Sequence, residues 1–267
     1  MIAPAPAKLN LALVVGPTRD DGKHEVVTLL QRIDLADRIS LEPAADIVVE
    51  GFADDTLVAA ALAALGATHG WHARIEKRIP VASGLGGGSS DAATALKLGN
   101  ALLDDPLLPA ELLEAAARLG ADVPFFLHDG PQLGTGDGST LEPVDLPQDF
   151  AICLVLPHGA VKASTGAVYD AFDAGDGASG FAEREARLRA ALGSVRSARD
   201  LAGLPGNDLA RSPLTAELRA AGAFRADVTG AGPTVYGLFD DPAAADRAAR
   251  RLRHLGRTWS TVPAWYG

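Results

Sequence analysis

The sequence contains little cysteine and few aromatic residues. Among 267 residues there is one cysteine, Cys153, and phenylalanine, tryptophan and tyrosine together account for 5%. One cysteine cannot form an internal disulfide, and its position in the apolar run 150–156 indicates a buried structural thiol rather than a nucleophile. Hydrophobic residues make up 48% of the chain. The protein can therefore fold around an apolar core without disulfides or a structural metal.

Long hydrophobic runs and an excess of basic residues are also missing. No run of 18 apolar residues occurs, and the N-terminus lacks the charged-then-apolar order of a secretion signal. These absences predict a cytoplasmic protein without a membrane partner. The 24 basic and 34 acidic residues give a formal net charge of −10, which argues against nucleic acid as a partner. A phosphorylated ligand must therefore be bound by single cations and helix ends.

Glycine, in contrast, is concentrated in one short segment. Residues 79–91 read Ile-Pro-Val-Ala-Ser-Gly-Leu-Gly-Gly-Gly-Ser-Ser-Asp, and the last three favour the start of a helix. A flexible loop that leads into a helix N-terminus offers unpaired N–H groups and a positive dipole end to an anion such as phosphate. A simple turn is the alternative, but turns rarely need four glycines in five residues, because glycine loses the most chain entropy on folding.

Neither of the two common phosphate-binding loops matches this segment. A Walker loop requires a lysine after its glycines, and none follows here. A Rossmann loop requires a third glycine where Ser89 stands and a buried apolar strand before it. Residues 72–79 are mostly charged and are interpreted as a half-exposed strand. The segment therefore predicts a phosphate-binding loop of another kind.

The hydrophobic patterns predict helices and strands that alternate without a βαβ rhythm. Strands are predicted at 7–15, 26–33, 150–156 and 258–265, with two more around a glycine turn within 225–239, and a hairpin or linker at 131–140. Helices are predicted at 54–66, 89–103, 109–119, 181–192, 213–221 and 242–255, and a surface insertion at 173–180. We therefore expect an α+β fold with two lobes, residues 1–145 and 146–267.

Three polar residues occur at positions suited to chemistry. Lys8 lies within the first strand, where it either serves a ligand or keeps its ammonium at an exposed edge. Asp122 lies between a helix end and the apolar segment 123–127, interpreted as a strand; it is either a carboxylate kept ionised by a cation or the N-cap of a short turn. His24 lies in the loop between two core strands, where both a solvent-facing side chain and a substrate contact fit.

Three segments resemble the three motifs of the GHMP kinases, a family of small-molecule kinases. Residues 7–11 (Ala-Lys-Leu-Asn-Leu) are similar to the first motif, 80–90 to the second, and 227–232 (Asp-Val-Thr-Gly-Ala-Gly) to the third. The resemblance covers almost the whole chain. It implies a two-lobed α+β fold with ATP and the substrate in the cleft between the lobes.

Four details narrow the resemblance to one branch of that family. They are Pro-Ala-Lys-Leu-Asn-Leu at 6–11, Asp-Gly-Lys-His-Glu at 21–25, Gly-Ala-Asp-Val-Pro-Phe-Phe at 120–126 and Gly-Asn-Asp-Leu at 206–209. That branch phosphorylates the C2 hydroxyl of a cytidyl diphosphate sugar alcohol on the non-mevalonate route to isoprenoids. The resemblance thus implies a kinase that uses ATP and Mg²⁺.

The resemblance also implies roles for the matching residues. Asp122 would take the proton from the substrate hydroxyl, and Lys8 would keep that carboxylate ionised and stabilise developing charge. The ATP phosphates would be bound by Pro80, Gly84, Leu85, Gly86, Gly87, Gly88, Ser89 and Ser90, with Ser89 or Ser90 as an oxygen ligand to Mg²⁺. The substrate would be contacted by Asn10, Lys23, His24, Gly230 and Gly232, with His24 at the cytosine.

Two positions depart from the pattern of that branch. Lys23 stands where a tyrosine usually stacks on cytosine; a cation can lie over a base or meet a diphosphate, but it does not replace the ring. Thr56 stands where an asparagine is usual near the adenine. Two alternatives follow: a kinase for another alcohol, homoserine- or mevalonate-like, whose carboxylate Lys23 recruits, or a non-catalytic nucleotide-binding protein. Both a monomer and a homodimer are compatible with the sequence.

Overall fold

Two β-sheets and the helices packed against them form the protein. The structure, a computed structural model, describes residues 1–52, 57–160 and 164–264. A six-stranded sheet has the order β3-β4-β2-β5-β6 with β1 paired to β2, and a four-stranded sheet has the order β10-β7-β9-β8. The strands are β1 (Ile2–Thr18), β2 (His24–Ala44), β3 (Val48–Glu50), β4 (Gly70–Glu76), β5 (Gln132–Thr135), β6 (Thr140–Pro143), β7 (Ala151–Pro157), β8 (Arg225–Val228), β9 (Val235–Phe239) and β10 (Gly256–Thr261).

The helices divide between the two sheets. α1 and α2 cover the first sheet, where their alanine and leucine side chains share a core with Leu41, Trp71 and Ile75. α6 and α7 pack against the second sheet. The helices are α1 (Leu57–Ala64), α2 (Gly87–Asn100), α3 (Pro109–Leu119), α4 (Thr165–Ala174), α5 (Phe181–Ser194), α6 (Leu214–Ala220) and α7 (Pro242–Leu252), with 3₁₀ helices at Pro124–Leu127 and Ala198–Gly203.

Strand β1 belongs to the first sheet, at the place where that sheet packs against the second, and β1 is buried on both faces. Residues 5–16 are all buried, because the apolar side chains of β1 pack with Ile152 and Leu154 of β7 in a core shared by both sheets. The Leu11 carbonyl accepts hydrogen bonds from Arg225 Nη2 at 2.6 Å and Tyr236 Oη at 3.1 Å. These bonds fasten the second sheet to β1 and so place the polar residues of β1 at the junction.

Most of the predicted elements are confirmed. The strands at 7–15 and 26–33 are longer than predicted, and α2 begins at Gly87 rather than Ser89. The segment 123–127, predicted as a strand, is instead the 3₁₀ helix Pro124–Leu127, since Pro124 has φ preset for a first helical turn. Residues 173 and 174, predicted as the start of a surface insertion, are instead the last two residues of α4. The sequence analysis did not predict this helix. The predicted start of α1, which includes Thr56, and the end of the last strand at Trp265 lie outside the described residues.

Within the part of the chain that the structure describes, no helix is both long and apolar enough to cross a membrane.

Candidate active site

A cavity of about 580 Å³ opens where the two sheets meet. It is bounded by β1, the glycine-rich loop, the start of α2, the loop after α3, the turn after β8 and the helix α4. The predicted site residues in its wall are Lys8, Asn10, Pro80, Gly84, Leu85, Gly86, Gly87, Gly88, Ser89, Asp122 and Gly230. The fold therefore brings together four segments that are far apart in the sequence.

Two glycines of the loop are required by the backbone. Gly84 has φ +84°, and a Cβ there would lie 2.7 Å from the Thr229 carbonyl oxygen and 2.9 Å from that of Gly232. Gly86 has φ +72°, and its Cβ would lie 2.9 Å from Cγ of Lys8. Both positions combine a left-handed backbone with close contact, which only glycine tolerates. The loop is thus packed tightly against β1 and the turn after β8.

The loop ends at the N-terminus of α2, which points at the cavity. Gly86 occupies the N-cap position without a side-chain cap, and Ser90 N–H donates to its carbonyl at 2.9 Å. The preceding N–H groups are the unpaired donors of a helix start. Ser89 lies in the cavity wall, whereas Ser90 is fully buried outside it, and its Oγ has no hydrogen-bond partner among the described residues.

Lys8 and Asp122 form an ion pair at the centre of the cavity. Lys8 Nζ lies 3.3 Å from Asp122 Oδ2 and donates to Asn10 Oδ1 at 2.7 Å. The lysine side chain is 5% exposed and the aspartate side chain 43% exposed. The ammonium is therefore held in the protein interior while the carboxylate remains open to a ligand.

The side chain of Asn10 is held in place from both sheets. Its Nδ2 donates to Thr28 Oγ1 at 2.8 Å, and Thr28 Oγ1 donates to the Ala12 carbonyl at 3.0 Å. Its Oδ1 also accepts from Thr229 Oγ1 at 3.3 Å. With every polar atom bonded, Asn10 can orient Lys8 but has little freedom to turn toward a substrate.

A buried charge cluster below the glycine loop was not predicted from the sequence. Lys77 Nζ lies 2.5 Å from Asp37 Oδ2 and 2.7 Å from Asp91 Oδ2. Asp91 Oδ1 is buried and has no hydrogen-bond partner in the part of the chain that the structure describes. Lys77 and Asp91 line the cavity together with Phe52. Burial, with a further contribution from the nearby Asp37 carboxylate, raises the pKa of Asp91 to about 7 although Lys77 opposes the shift. The carboxyl groups of Asp37 and Asp91 thus share the single ammonium of Lys77.

Replacing Asp91 with asparagine is expected to change how stability depends on pH. The folded-state pKa of about 7 lies above the ordinary aspartate pKa of 3.8, so the unfolded chain loses this proton first as the pH rises. The contribution of the protonated Asp91 carboxyl to the free energy of unfolding is therefore full below about pH 4 and is lost as the pH rises to about 7. Urea unfolding at pH 5 and pH 8 measures it: the stability difference between wild type and Asp91→Asn should shift by at least about 1 kcal/mol in favour of the variant at pH 8. Parallel pH profiles for the two proteins would contradict the assignment.

Lys23, His24 and Gly232 lie beside the cavity rather than in its wall. Lys23 Nζ lies 2.5 Å from Asp137 Oδ2, and Asp137 does line the cavity. His24 Nε2 lies 2.8 Å from Asp173 Oδ1, with the histidine side chain 9% exposed. The carbonyl of Gly232 packs against Gly84, as described above. Contact of these three residues with a substrate stays a prediction.

Tyr169 of α4 forms a wall of the cavity that the sequence did not reveal. Its ring stacks on His24 with centroids 4.5 Å apart and planes at 27°. Burial raises the pKa of Tyr169 to about 12, and the Asp122 carboxylate adds to the shift. The Tyr169 hydroxyl therefore stays neutral. The helical spacing of Val168, Tyr169 and Phe172 was the available signal, but α4 has no fully buried residue and its pattern is weak.

Comparison with known proteins identifies relatives along nearly the whole chain. Residues 53–130 match the family model "GHMP kinases N terminal domain" and residues 212–258 match "GHMP kinases C terminal". A protein of Pelotomaculum thermopropionicum named 4-diphosphocytidyl-2-C-methyl-D-erythritol kinase is 40% identical over 275 residues, 93% of this chain and 92% of its own. A protein of the same name from Kineococcus radiotolerans is 38% identical over 280 residues, 95% of this chain and 86% of its own.

Solved structures show the same similarity in three dimensions. A crystal structure of 4-(cytidine 5'-diphospho)-2C-methyl-D-erythritol kinase superposes with a TM-score of 0.79 at 33% identity, covering 99% of this chain and 100% of that one. A crystal structure of mevalonate kinase superposes with a TM-score of 0.76 at 14% identity, covering 98% and 99%. The second likeness concerns the fold alone.

Proposed function

Since the chain belongs to the 4-diphosphocytidyl-2-C-methyl-D-erythritol kinase family of the GHMP kinases, we propose that it transfers the γ-phosphoryl group of ATP to the C2 hydroxyl of 4-diphosphocytidyl-2-C-methyl-D-erythritol. This reaction belongs to the non-mevalonate route to isoprenoid precursors. The observation that supports it best is the Lys8–Asp122 ion pair, 3.3 Å long, in the wall of the cavity that also contains the glycine-rich loop.

Asp122 has the position of a general base. Its carboxylate is 43% exposed to the cavity, so a substrate hydroxyl can approach and give up its proton as the O–P bond forms. Lys8 is buried beside it and fixed by Asn10. The ammonium stabilises the negative charge that develops during transfer. Phosphoryl transfer needs mainly this positioning and neutralisation.

The glycine-rich loop and the start of α2 bind the phosphates of ATP. Residues 84–89 line the cavity, and the unpaired N–H groups at the helix start favour anions. Because Gly84 and Gly86 are packed against Thr229 and Lys8, the loop already has its binding conformation before ATP enters. A preorganised loop loses little entropy on binding.

The residues at the helix start also fit Mg²⁺. Mg²⁺ is usually bound by one or two protein oxygens together with phosphates and water. Ser89 Oγ would be the protein oxygen, since Ser89 lines the cavity and Ser90 does not. When bound, the ion neutralises phosphate charge.

The lobes, the compartment and the partners of the protein are also part of the proposal. The first sheet is built from strands before residue 145 and the second from strands after it, which supports lobes of 1–145 and 146–267. The composition supports a cytoplasmic enzyme that does not bind nucleic acid. The oligomeric state, monomer or homodimer, stays a prediction.

A coupled ADP-release assay tests the function directly. The purified protein is supplied with Mg-ATP and the cytidyl substrate, and in parallel with homoserine and mevalonate. Turnover of the cytidyl substrate alone is expected. Turnover of homoserine or mevalonate alone would overturn the substrate assignment, and ATP binding without turnover of any alcohol would favour a non-catalytic protein.

A further inference from the structure

The turn between β5 and β6 places one carboxylate in the cavity wall. Asp137 lines the cavity and its side chain is 15% exposed. Its Oδ1 accepts hydrogen bonds from Ser139 N–H at 3.1 Å and from Ser139 Oγ at 2.6 Å. Gly136 and Gly138 on either side have φ of +69° and +99°. The turn therefore fixes the direction in which the carboxylate faces.

Lys23 completes the environment of Asp137 from outside the cavity. Its ammonium lies 2.5 Å from Asp137 Oδ2 and its side chain is 56% exposed. Partial burial alone would raise the pKa of Asp137, but the hydrogen bonds from Lys23 and Ser139 outweigh it and lower the pKa to about 2. Asp137 is therefore ionised at every pH at which the protein works, and an ionised carboxylate only accepts hydrogen bonds.

Among the residues that the structure describes, three donors reach this carboxylate, which leaves one acceptor position for a ligand. A carboxylate offers about four lone-pair sites, and the bonds from Ser139 N–H, Ser139 Oγ and Lys23 Nζ use three of them. The diphosphate of the substrate cannot be the partner, because its charge has the same sign as that of Asp137. The partner must be an N–H or O–H group.

An aromatic wall lies at the same end of the cavity. Val26, which lines the cavity, belongs with Leu13 and Val15 to a small apolar cluster against which Tyr169 packs. The Val26 N–H donates to the Gly136 carbonyl at 2.7 Å. A flat ring and an acceptor-only group thus border one region. A nucleobase fits this pair when it presents a π-face to the ring and an amino group to the carboxylate.

We propose that Asp137 accepts a hydrogen bond from the exocyclic amino group of the substrate's cytosine and so selects cytosine over uracil, with Lys23 as the positioning residue. Uracil carries a carbonyl oxygen at the same place, so two acceptors would face each other. In this arrangement Lys23 does not take over the stacking role of a tyrosine. It holds the Asp137 carboxylate in the position from which that carboxylate binds the base. This assignment rests on the proposed function, because that function supplies the cytidyl group.

The test compares CDP with UDP as probes, with a non-hydrolysable ATP analogue and Mg²⁺ present to fill the ATP end. Calorimetric titration of the wild type should give at least about tenfold tighter binding of CDP, the range expected for one charge-assisted hydrogen bond. Asp137→Asn should reduce this preference about tenfold or more, because an amide can also donate to uracil.

Controls separate base selection from general damage. Asp105→Asn, in an exposed loop, should keep the full preference. Lys23→Met should weaken CDP binding and lower the CDP/UDP ratio, and Lys23→Arg should restore both, which a purely structural lysine would not do. Equal loss of CDP and UDP binding in Asp137→Asn, or a wild type that binds both equally, overturns the proposal. If the wild type prefers CDP but does not phosphorylate the cytidyl substrate, the role of Asp137 in base selection is supported and the proposed function is refuted.

Discussion

Replacing Asp122 with asparagine is expected to lower kcat by about 10³-fold, within the range of a lost general base. Asparagine has nearly the same shape but cannot take the hydroxyl proton, and it leaves the Lys8 ammonium without its counter-ion at 3.3 Å. The Asp122 side chain is 43% exposed, so the fold should tolerate the change. Steady-state ADP release measures kcat, and the KM for ATP should change less than about threefold because the phosphate loop is untouched.

A second variant tests whether Lys8 and Asp122 act as one unit. Lys8→Met should lose activity to a similar degree, and the double variant should lose little more than the worse of the two, because each residue is ineffective without the other. Circular dichroism and thermal melting confirm that the variants are folded. Asp122→Asn with turnover within tenfold of the wild type would remove Asp122 from the chemistry.

Replacing Arg225 with methionine is expected to cost roughly 3–5 kcal/mol of unfolding free energy, the range for a buried charge network that loses one partner. The guanidinium is 5% exposed and donates to four backbone carbonyls, those of Leu11, Pro205, Leu201 and Leu204, at 2.6–3.1 Å. Methionine fills much of the volume but removes one donor from each of these carbonyls and the guanidinium from beside the Asp227 carboxylate.

Urea unfolding followed by circular dichroism measures this loss. Arg247→Met, on the exposed face of α7, is the matched control and should change stability by less than about 0.5 kcal/mol. A loss below 1 kcal/mol for Arg225→Met would mean that water or rearranged side chains satisfy the carbonyls.

The parts of the site that depend on local chemistry were predictable from the sequence. The glycine-rich loop was predictable, because positive φ and a helix start are properties of a few adjacent residues. Lys8 and Asp122 stood out as charges in apolar surroundings, and the structure places them together. The sheet content followed from hydrophobic alternation, although strand lengths did not.

The parts that depend on distant partners were not predictable. Asp37, Lys77 and Asp91 lie in segments with ordinary charge patterns, and the cluster exists only because β2, β4 and α2 converge. From the sequence, Lys23 could only be described as a cation at a position where a stacking tyrosine is usual. In the structure its ammonium is bonded to Asp137, 114 positions along the chain. Helix α4 escaped prediction because it buries no residue completely and its apolar residues Val168, Tyr169 and Phe172 form only a weak stripe.

The position of β1 between the two sheets has a consequence for how the protein is made. Ribosomes build β1 early, but Arg225 and Tyr236, whose donors bind its Leu11 carbonyl, follow more than 200 residues later. At about 5–20 residues per second, that delay is on the order of 10–40 seconds. During this time the face of β1 that later meets β7 and β9 is uncovered in the nascent chain. The active site is therefore among the last features to form during synthesis, and an interrupted translation product of the first sheet alone exposes an apolar surface that chaperones bind.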